Sequence, residues 1–179
     1  MRSVLAVGLA IAVFALPSTA WAKPETFSAA GALCITGLPA IEARVTPNNV
    51  RIRATGEVLS GLVTSSAGWP AINGGAVTVT ILEERSQFSL KDMTFRGEMK
   101  AAMTVATGAG NVTGTLQGII EGAFTDPNDI ILSITQSSTR FHFEVSGAGA
   151  DAKGKGQTNF AAQPDGSFCG AFALEGRLR

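Results

Sequence analysis

The chain has 179 residues, with 14 Lys and Arg against 14 Asp and Glu, so its formal net charge at pH 7 is zero. A balanced charge gives no electrostatic basis for binding nucleic acid or an anionic membrane surface. One histidine and two cysteines supply too few ligands for a zinc or iron site. No metal, cofactor or nucleic-acid partner is therefore predicted.

The first 22 residues, MRSVLAVGLAIAVFALPSTAWA, have the three parts of a secretory signal peptide. Arg2 supplies the positive start, an apolar run of 13 residues follows, and AWA is a small-x-small cleavage sequence. The run is shorter than the ~18 to 20 residues that span a bilayer, so an N-terminal anchor is the weaker alternative. We expect residues 1–22 to be removed and residues 23–179 to form a single secreted or periplasmic domain without a transmembrane helix.

Alternation of apolar and polar residues predicts strands along the whole remaining chain. In chain order it is found at 27–35, 50–58, 77–81, 95–105, 110–124, 141–145 and 168–178. Segments rich in Gly, Pro, Asn and Asp separate these runs: TPNN, AINGG, TGAG, TDPND, GAGADAKGKG and QPDGS. Residues 82–92 leave room for one helical turn. The sequence predicts an all-β chain of about eight to ten strands.

The segment GNVTGTLQGIIEGAF, from Gly110 to Phe124, places a glycine at every fourth position. In a helix each of these glycines would cost roughly 1 kcal/mol relative to alanine. In a strand they alternate with Val112, Leu116 and Ile120 on one apolar face, a pattern that suits a strongly curved sheet. Inside a barrel they would either leave room for a cavity or relieve crowding in a filled core.

Both cysteines lie within the predicted mature domain, where an exported protein most simply joins them in one disulfide. Cys34 is in the first predicted strand and Cys169 in the last, each on the face opposite the apolar one. A disulfide requires α-carbons within ~7 Å, so the first and last strands must be adjacent. An antiparallel up-and-down β-barrel satisfies this condition and leaves no edges exposed. A β-sandwich with adjacent termini is the alternative.

In general form the predicted fold resembles calycin-like barrels. Gly68-Trp69 lacks the G-x-W spacing of a lipocalin first strand, so the resemblance implies a fold and no family. The interior of an eight-stranded barrel is either filled by side chains or holds one small ligand.

No residue pattern predicts a catalytic group. His142 lies on the polar face of its strand and is expected to be solvated, and the adjacent Glu83 and Glu84 should point to opposite faces. GADAKGKG resembles a phosphate-binding loop but has no Ser or Thr after its Gly-Lys and no following helix, so we expect a flexible loop. DPND is expected to be a plain turn.

The leading hypothesis is an exported, non-enzymatic barrel that binds a small apolar ligand in its interior. The candidate lining residues are Met99, Met103, Leu116, Ile120, Phe124, Phe141, Phe143 and Phe172. One alternative is a structural or interaction protein with a solid core, which uses its exterior or a 65–75 loop with Trp69 exposed. Others are a cofactor-free barrel isomerase or cyclase, and an outer-membrane barrel whose apolar faces meet lipid, although the absence of tyrosine leaves it without an aromatic girdle.

Overall fold

The structure, a computed structural model, describes residues 25–179, so the predicted signal peptide lies outside the described residues. The described chain contains ten β-strands and one turn of 3-10 helix, Pro70–Ile72. The strands are β1 (Thr26–Gly37), β2 (Ala40–Val45), β3 (Asn49–Thr55), β4 (Val58–Ala67), β5 (Ala76–Ser89), β6 (Thr94–Thr107), β7 (Gly110–Phe124), β8 (Ile134–Gly147), β9 (Ala150–Ala162) and β10 (Phe168–Leu178). Strand β5 covers most of 82–92, so the helical turn considered there is wrong.

Eight of the strands form a closed antiparallel barrel. The order β5-β4-β1-β10-β9-β8-β7-β6 returns to β5 through the β5–β6 pairing, and β2 and β3 are two additional strands. The predicted all-β barrel is therefore confirmed, and the sandwich alternative is wrong. No helix among residues 25–179 is long and apolar enough to cross a membrane.

The additional strands continue barrel strands that bend. Strand β1 leads into β2 across Leu38-Pro39, and β3 leads into β4 across Gly56-Glu57. As a result, β4 pairs with the first half of β5 and β3 with the second half. The stagger of the strands can be counted by moving from each residue to its cross-strand partner. Starting at Leu33 and going once round the barrel, this path ends at Val45, twelve residues further along the same bent strand. So large a stagger tilts the strands and widens the interior.

The apolar faces of the strands point inward, and the outer surface carries most of the charged side chains. The alternative in which these faces meet lipid is therefore wrong. Glycines on the inner faces lie beneath large side chains of the neighbouring strands. A Cβ at Gly118 would lie 2.7 Å from the Phe141 Cβ, and one at Gly122 would lie 2.5 Å from the Phe95 ring. These glycines relieve crowding, so they do not themselves create open space.

The same packing explains why GADAKGKG is not a loop. Strand β9 begins at Ala150, and a Cβ at Gly156 would meet the Phe141 ring at 2.6 Å while one at Gly154 would meet the Phe143 ring at 2.8 Å. The predicted flexible loop is wrong, because these glycines make room for rings inside a strand.

One end of the barrel is closed by aromatic and aliphatic side chains. Trp69, only 5% exposed, contacts Phe27 edge to face with ring centroids 5.2 Å apart, and Ile72 is buried beside it. The expectation of an exposed Trp69 is wrong, since the 3-10 turn folds this segment back over the core. A second buried cluster, formed by Val50, Ile52, Ala54, Phe88, Phe95 and Phe124, lies under β3 towards the other end.

Cys34 and Cys169 are directly opposite each other on β1 and β10 and form a disulfide, as predicted. They are the last pair of that ladder, because β10 begins at Phe168 while β1 continues past Cys34 towards β2. The bond therefore joins the first and last strands where they begin to separate. A disulfide of this kind is typical of proteins in an oxidising compartment.

Candidate ligand cavity

The barrel encloses a cavity of about 440 Å³, which is within the usual range for small-molecule sites. Its wall is mainly aliphatic and aromatic. Seven of the eight predicted lining residues border it: Met99, Met103, Leu116, Ile120, Phe141, Phe143 and Phe172. The eighth, Phe124, does not border it, because its ring packs against Phe88 in the second cluster, with centroids 5.7 Å apart.

The cavity has an apolar rim at the end where β2 has a partner on one side only. Leu38 is 88% exposed and Leu132 is 85% exposed, and both border the cavity together with Ile41 and Ile131. We call these four residues the rim. Exposed apolar side chains grouped at a cavity usually mark a binding surface.

A proline and a turn in the local sequence position part of this rim. Pro39 has no N–H, so it breaks the hydrogen-bonding pattern at the bend between β1 and β2 and leaves Leu38 outside the ladder. In the β7–β8 loop, Asp126 Oδ1 accepts a hydrogen bond from the Asn128 backbone N at 2.8 Å. DPND thus forms a turn, as expected, and the apolar residues that follow it reach the cavity.

Two carboxyl groups, Glu57 and Glu84, also border the cavity. Leu82 is an extra residue in β5, since Ile81 pairs with Ala101 while Glu83 pairs with Lys100. This bulge leaves Leu82 54% exposed and turns Glu84 inward.

Glu57 is turned inward by the bend between β3 and β4. Gly56, at φ 80°, donates its N–H to the Ile81 carbonyl, and the Ile81 N–H donates to the Glu57 carbonyl, both at 2.8 Å. Ile81 therefore holds the bend, and the adjoining bulge brings Glu84 to the same cavity. Together Glu57 and Glu84 form what we call the inner carboxyl pair.

The environment of the inner carboxyl pair favours its protonated form. Burial, followed by the charge of Glu84, raises the pKa of Glu57 to about 7. Burial also raises the pKa of Glu84, and the hydrogen bond from Ser86 opposes that shift. A carboxyl group with a pKa near 7 can donate or accept a proton at neutral pH.

The neighbouring Glu83 has the opposite environment. It lies on the outer face, with Arg85 Nη2 at 2.7 Å and Arg53 Nη2 at 3.1 Å from its Oε1. The hydrogen bond from Arg85 is the main reason that its pKa is lowered. By contrast, no Lys, Arg or His among residues 25–179 borders the cavity.

Hydroxyl groups occupy another part of the wall. Ser137 and Thr139 on β8 and Thr158 on β9 are buried and border the cavity. Strand β9 is four strands away from β5 in either direction round the barrel, so Thr158 lies on the wall opposite Glu84. Thr158 Oγ1 is buried and has no hydrogen-bond partner within the described part of the chain.

The inner carboxyl pair was not predicted from the sequence. Glu83 and Glu84 point to opposite faces, as expected, but the run 50–58 was interpreted as one alternating strand. In such a strand Glu57 would lie on the polar outer face, which is wrong. The buried positions are even-numbered in β3, up to Ala54, and odd-numbered in β4, at Leu59 and Val63. In the sequence, the same change is visible as a shift of one position in the spacing of the apolar residues. His142 is exposed on β8, as expected of a solvated histidine.

Comparisons with protein-family models, with curated proteins and with solved structures give no match to this chain. What the site can do therefore rests on its own chemistry. It can exclude water from an apolar molecule, and it can exchange a proton or a hydrogen bond with that molecule through the inner carboxyl pair.

Proposed function

We propose that the protein binds a small apolar molecule inside its barrel and does so without catalysing a reaction. The observation that carries this proposal is the cavity of about 440 Å³, with its apolar wall and the exposed apolar rim. Covering apolar surface in such a cavity is favourable by roughly 25 cal/mol per Å². The same observation weighs against the alternative of a structural protein with a solid core.

We also propose that the protein is exported and binds its ligand outside the cytoplasm, either in the periplasm or after secretion. The signal-peptide pattern of residues 1–22 supports export, and the Cys34–Cys169 disulfide fits an oxidising compartment. The test is to measure the mass of the protein purified from the exporting cell. The mass should correspond to a chain that begins at Lys23. A chain that retains residues 1–22 would contradict cleavage at this point.

The binding proposal is tested by native mass spectrometry of the purified mature protein before and after organic extraction. We expect a bound apolar molecule that extraction removes, and subsequent uptake of the neutral fluorophore N-phenyl-1-naphthylamine. Neither a bound molecule nor uptake of the fluorophore would refute the proposal.

A matched pair of variants locates the binding. Leu116 borders the cavity, and Gln117 follows it on the outer face of β7. Leu116→Trp should fill part of the cavity and weaken fluorophore binding about tenfold, whereas Gln117→Trp should leave it unchanged. Equal effects of the two changes would place the binding outside the barrel. A thermal melt of each variant distinguishes a filled cavity from a misfolded protein.

A second candidate is a cofactor-free isomerase or cyclase, and the inner carboxyl pair is the observation that favours it. A carboxyl group whose pKa is about 7 can remove a proton from one carbon and return it to another. The test incubates the extracted molecule with fresh protein in heavy water. Catalysis predicts an isomer or incorporated deuterium, and Glu57→Gln should abolish both, whereas unchanged ligand after long incubation would exclude it.

A further inference from the structure

The inner carboxyl pair borders an apolar cavity and has no cationic partner among the described residues. Buried carboxylates are normally paired with a cation or with several hydrogen-bond donors. Glu83 has two arginine partners on the outer face, but Glu57 and Glu84 border a cavity to which the described residues contribute no cation. Glu84 has one hydroxyl donor, from Ser86. A ligand could supply the positive charge that the barrel lacks.

We propose that the ligand is an apolar molecule with one basic nitrogen, and that its ammonium group binds between Glu57 and Glu84. This inference rests on the proposed binding function and specifies its ligand class. An ammonium group offers up to three N–H donors, and the two carboxyl groups offer more than enough acceptors for them. The apolar remainder of the molecule would contact Met99 and Leu116, which border the same cavity.

Thr158 is an independent sign that a polar molecule is bound here. A buried hydroxyl without a partner loses its hydrogen bonds to water and gains none in return, so such groups are rare in folded proteins. Thr158 borders the cavity, and its buried Oγ1 has no partner within residues 25–179. Because it lies on the wall opposite Glu84, it would contact a second polar atom of the ligand, away from the ammonium group.

The same electrostatics disfavour a ligand with a carboxylate group. A fatty-acid anion would place its negative charge beside two carboxyl groups, and once either of them is ionised the like charges repel strongly in this apolar cavity. No Arg or Lys side chain of the described residues borders the cavity to offset that repulsion. The barrel should therefore prefer an alkylamine to an alcohol, and an alcohol to a carboxylate, of equal chain length.

The preference for the amine should increase with pH. As the pH rises, the inner carboxyl pair loses protons, whereas an alkylamine keeps its own. Charged side chains on the adjoining strands project outward: Arg51 and Arg53 on β3, Glu83 and Arg85 on β5, and Arg96, Glu98 and Lys100 on β6. None of them borders the cavity. The change with pH should therefore come from Glu57 and Glu84.

The experiment measures displacement of N-phenyl-1-naphthylamine from the disulfide-bonded mature protein by dodecylamine, dodecanol and dodecanoate below their micelle concentrations. At about pH 8 we expect dodecylamine to bind about tenfold more tightly than dodecanol, with dodecanoate weakest. At about pH 5 the advantage of the amine should shrink, because Glu57 is then largely protonated and Glu84, whose pKa is raised, carries less negative charge than at pH 8. The Glu57→Gln/Glu84→Gln double variant should lose the advantage but still bind dodecanol, whereas Glu83→Gln should retain it.

The outcomes separate the two proposals. If the fluorophore and dodecanol bind but dodecylamine has no advantage, the amine inference is wrong and apolar binding stands. If neither the fluorophore nor any of the three compounds binds, both proposals are wrong. If the double variant keeps the amine preference, the ammonium group binds elsewhere and the inference is again overturned.

Discussion

The two ends of the barrel are built from the same strands and have opposite characters. At the closed end, Trp69 and Ile72 are buried across the core, and the β6–β7 and β8–β9 connections are only two residues long. At the rim, Leu38 and Leu132 are exposed, the β7–β8 loop has nine residues, and β2 has a single partner. Because the strands are staggered, β10 does not reach β2, and the barrel is open at this end.

The largest expected effect comes from the disulfide that lies between these two regions. Replacing both cysteines, Cys34→Ser with Cys169→Ser, should lower the free energy of unfolding by roughly 4 to 5 kcal/mol, because the bond closes a loop spanning 135 positions. Urea unfolding measures this loss, with the reduced wild-type protein as the control. A loss below about 1 kcal/mol would mean that the ladder alone holds β1 against β10.

The closed end should be the next most sensitive region. Trp69→Ala removes a buried indole and its contact with Phe27, and large-to-small core changes of this kind cost about 3 to 5 kcal/mol. Leu62→Ala, at an outward position on β4, is the control and should cost about 0.5 kcal/mol or less. Both values come from urea unfolding curves, and similar losses in the two variants would contradict the assigned roles.

Acidity should change stability through the inner carboxyl pair. The folded state raises the pKa of Glu57 from its ordinary 4.5 to about 7, so the folded protein binds the proton more tightly than the unfolded chain does. The stabilisation is complete below pH 4.5 and is lost as the pH rises to about 7, by on the order of 2 to 3 kcal/mol.

This pH effect is measured from urea unfolding at a series of pH values. Glu57→Gln should reduce the slope over that interval, because the amide does not titrate. Glu84, whose pKa is also raised, should account for part of the slope that remains. The matched change on the outer face, Glu83→Gln, should leave the decline in place. A variant profile with the wild-type slope would assign the pH dependence to other groups.

The smallest effect on stability should come from the rim. Replacing Leu38 and Leu132 together with serine should change the free energy of unfolding by about 0.5 kcal/mol or less, because both are exposed. Uptake of N-phenyl-1-naphthylamine, followed by stopped flow, should nevertheless become slower, because the rim then offers less apolar surface to the approaching molecule. Unchanged uptake would mean that the ligand reaches the cavity by another route.

The sequence was sufficient to predict strands and closure, and insufficient to predict the chemistry inside. Alternating residues identify a strand because its two faces have different surroundings, and the paired cysteines then require β1 beside β10. Alternation cannot follow a face through a bend or a bulge, however, because each shifts the pattern by one residue. At Ile81 the bend and the bulge meet, and the hydrogen bonds that hold the bend join residues from different strands. Glu57 and the rim were missed because they depend on that long-range geometry.

The pairing of β1 with β10 also sets the order in which the molecule can be made. Every other ladder of the barrel joins residues no more than 40 positions apart, whereas this one joins the first strand to the last, at separations of 135 or more. A growing or truncated chain that lacks residues 168–178 can form hairpins but has no enclosed interior. The cavity is thus a property of the finished polypeptide, and a count of oxidised Cys34–Cys169 pairs during biosynthesis would count completed barrels.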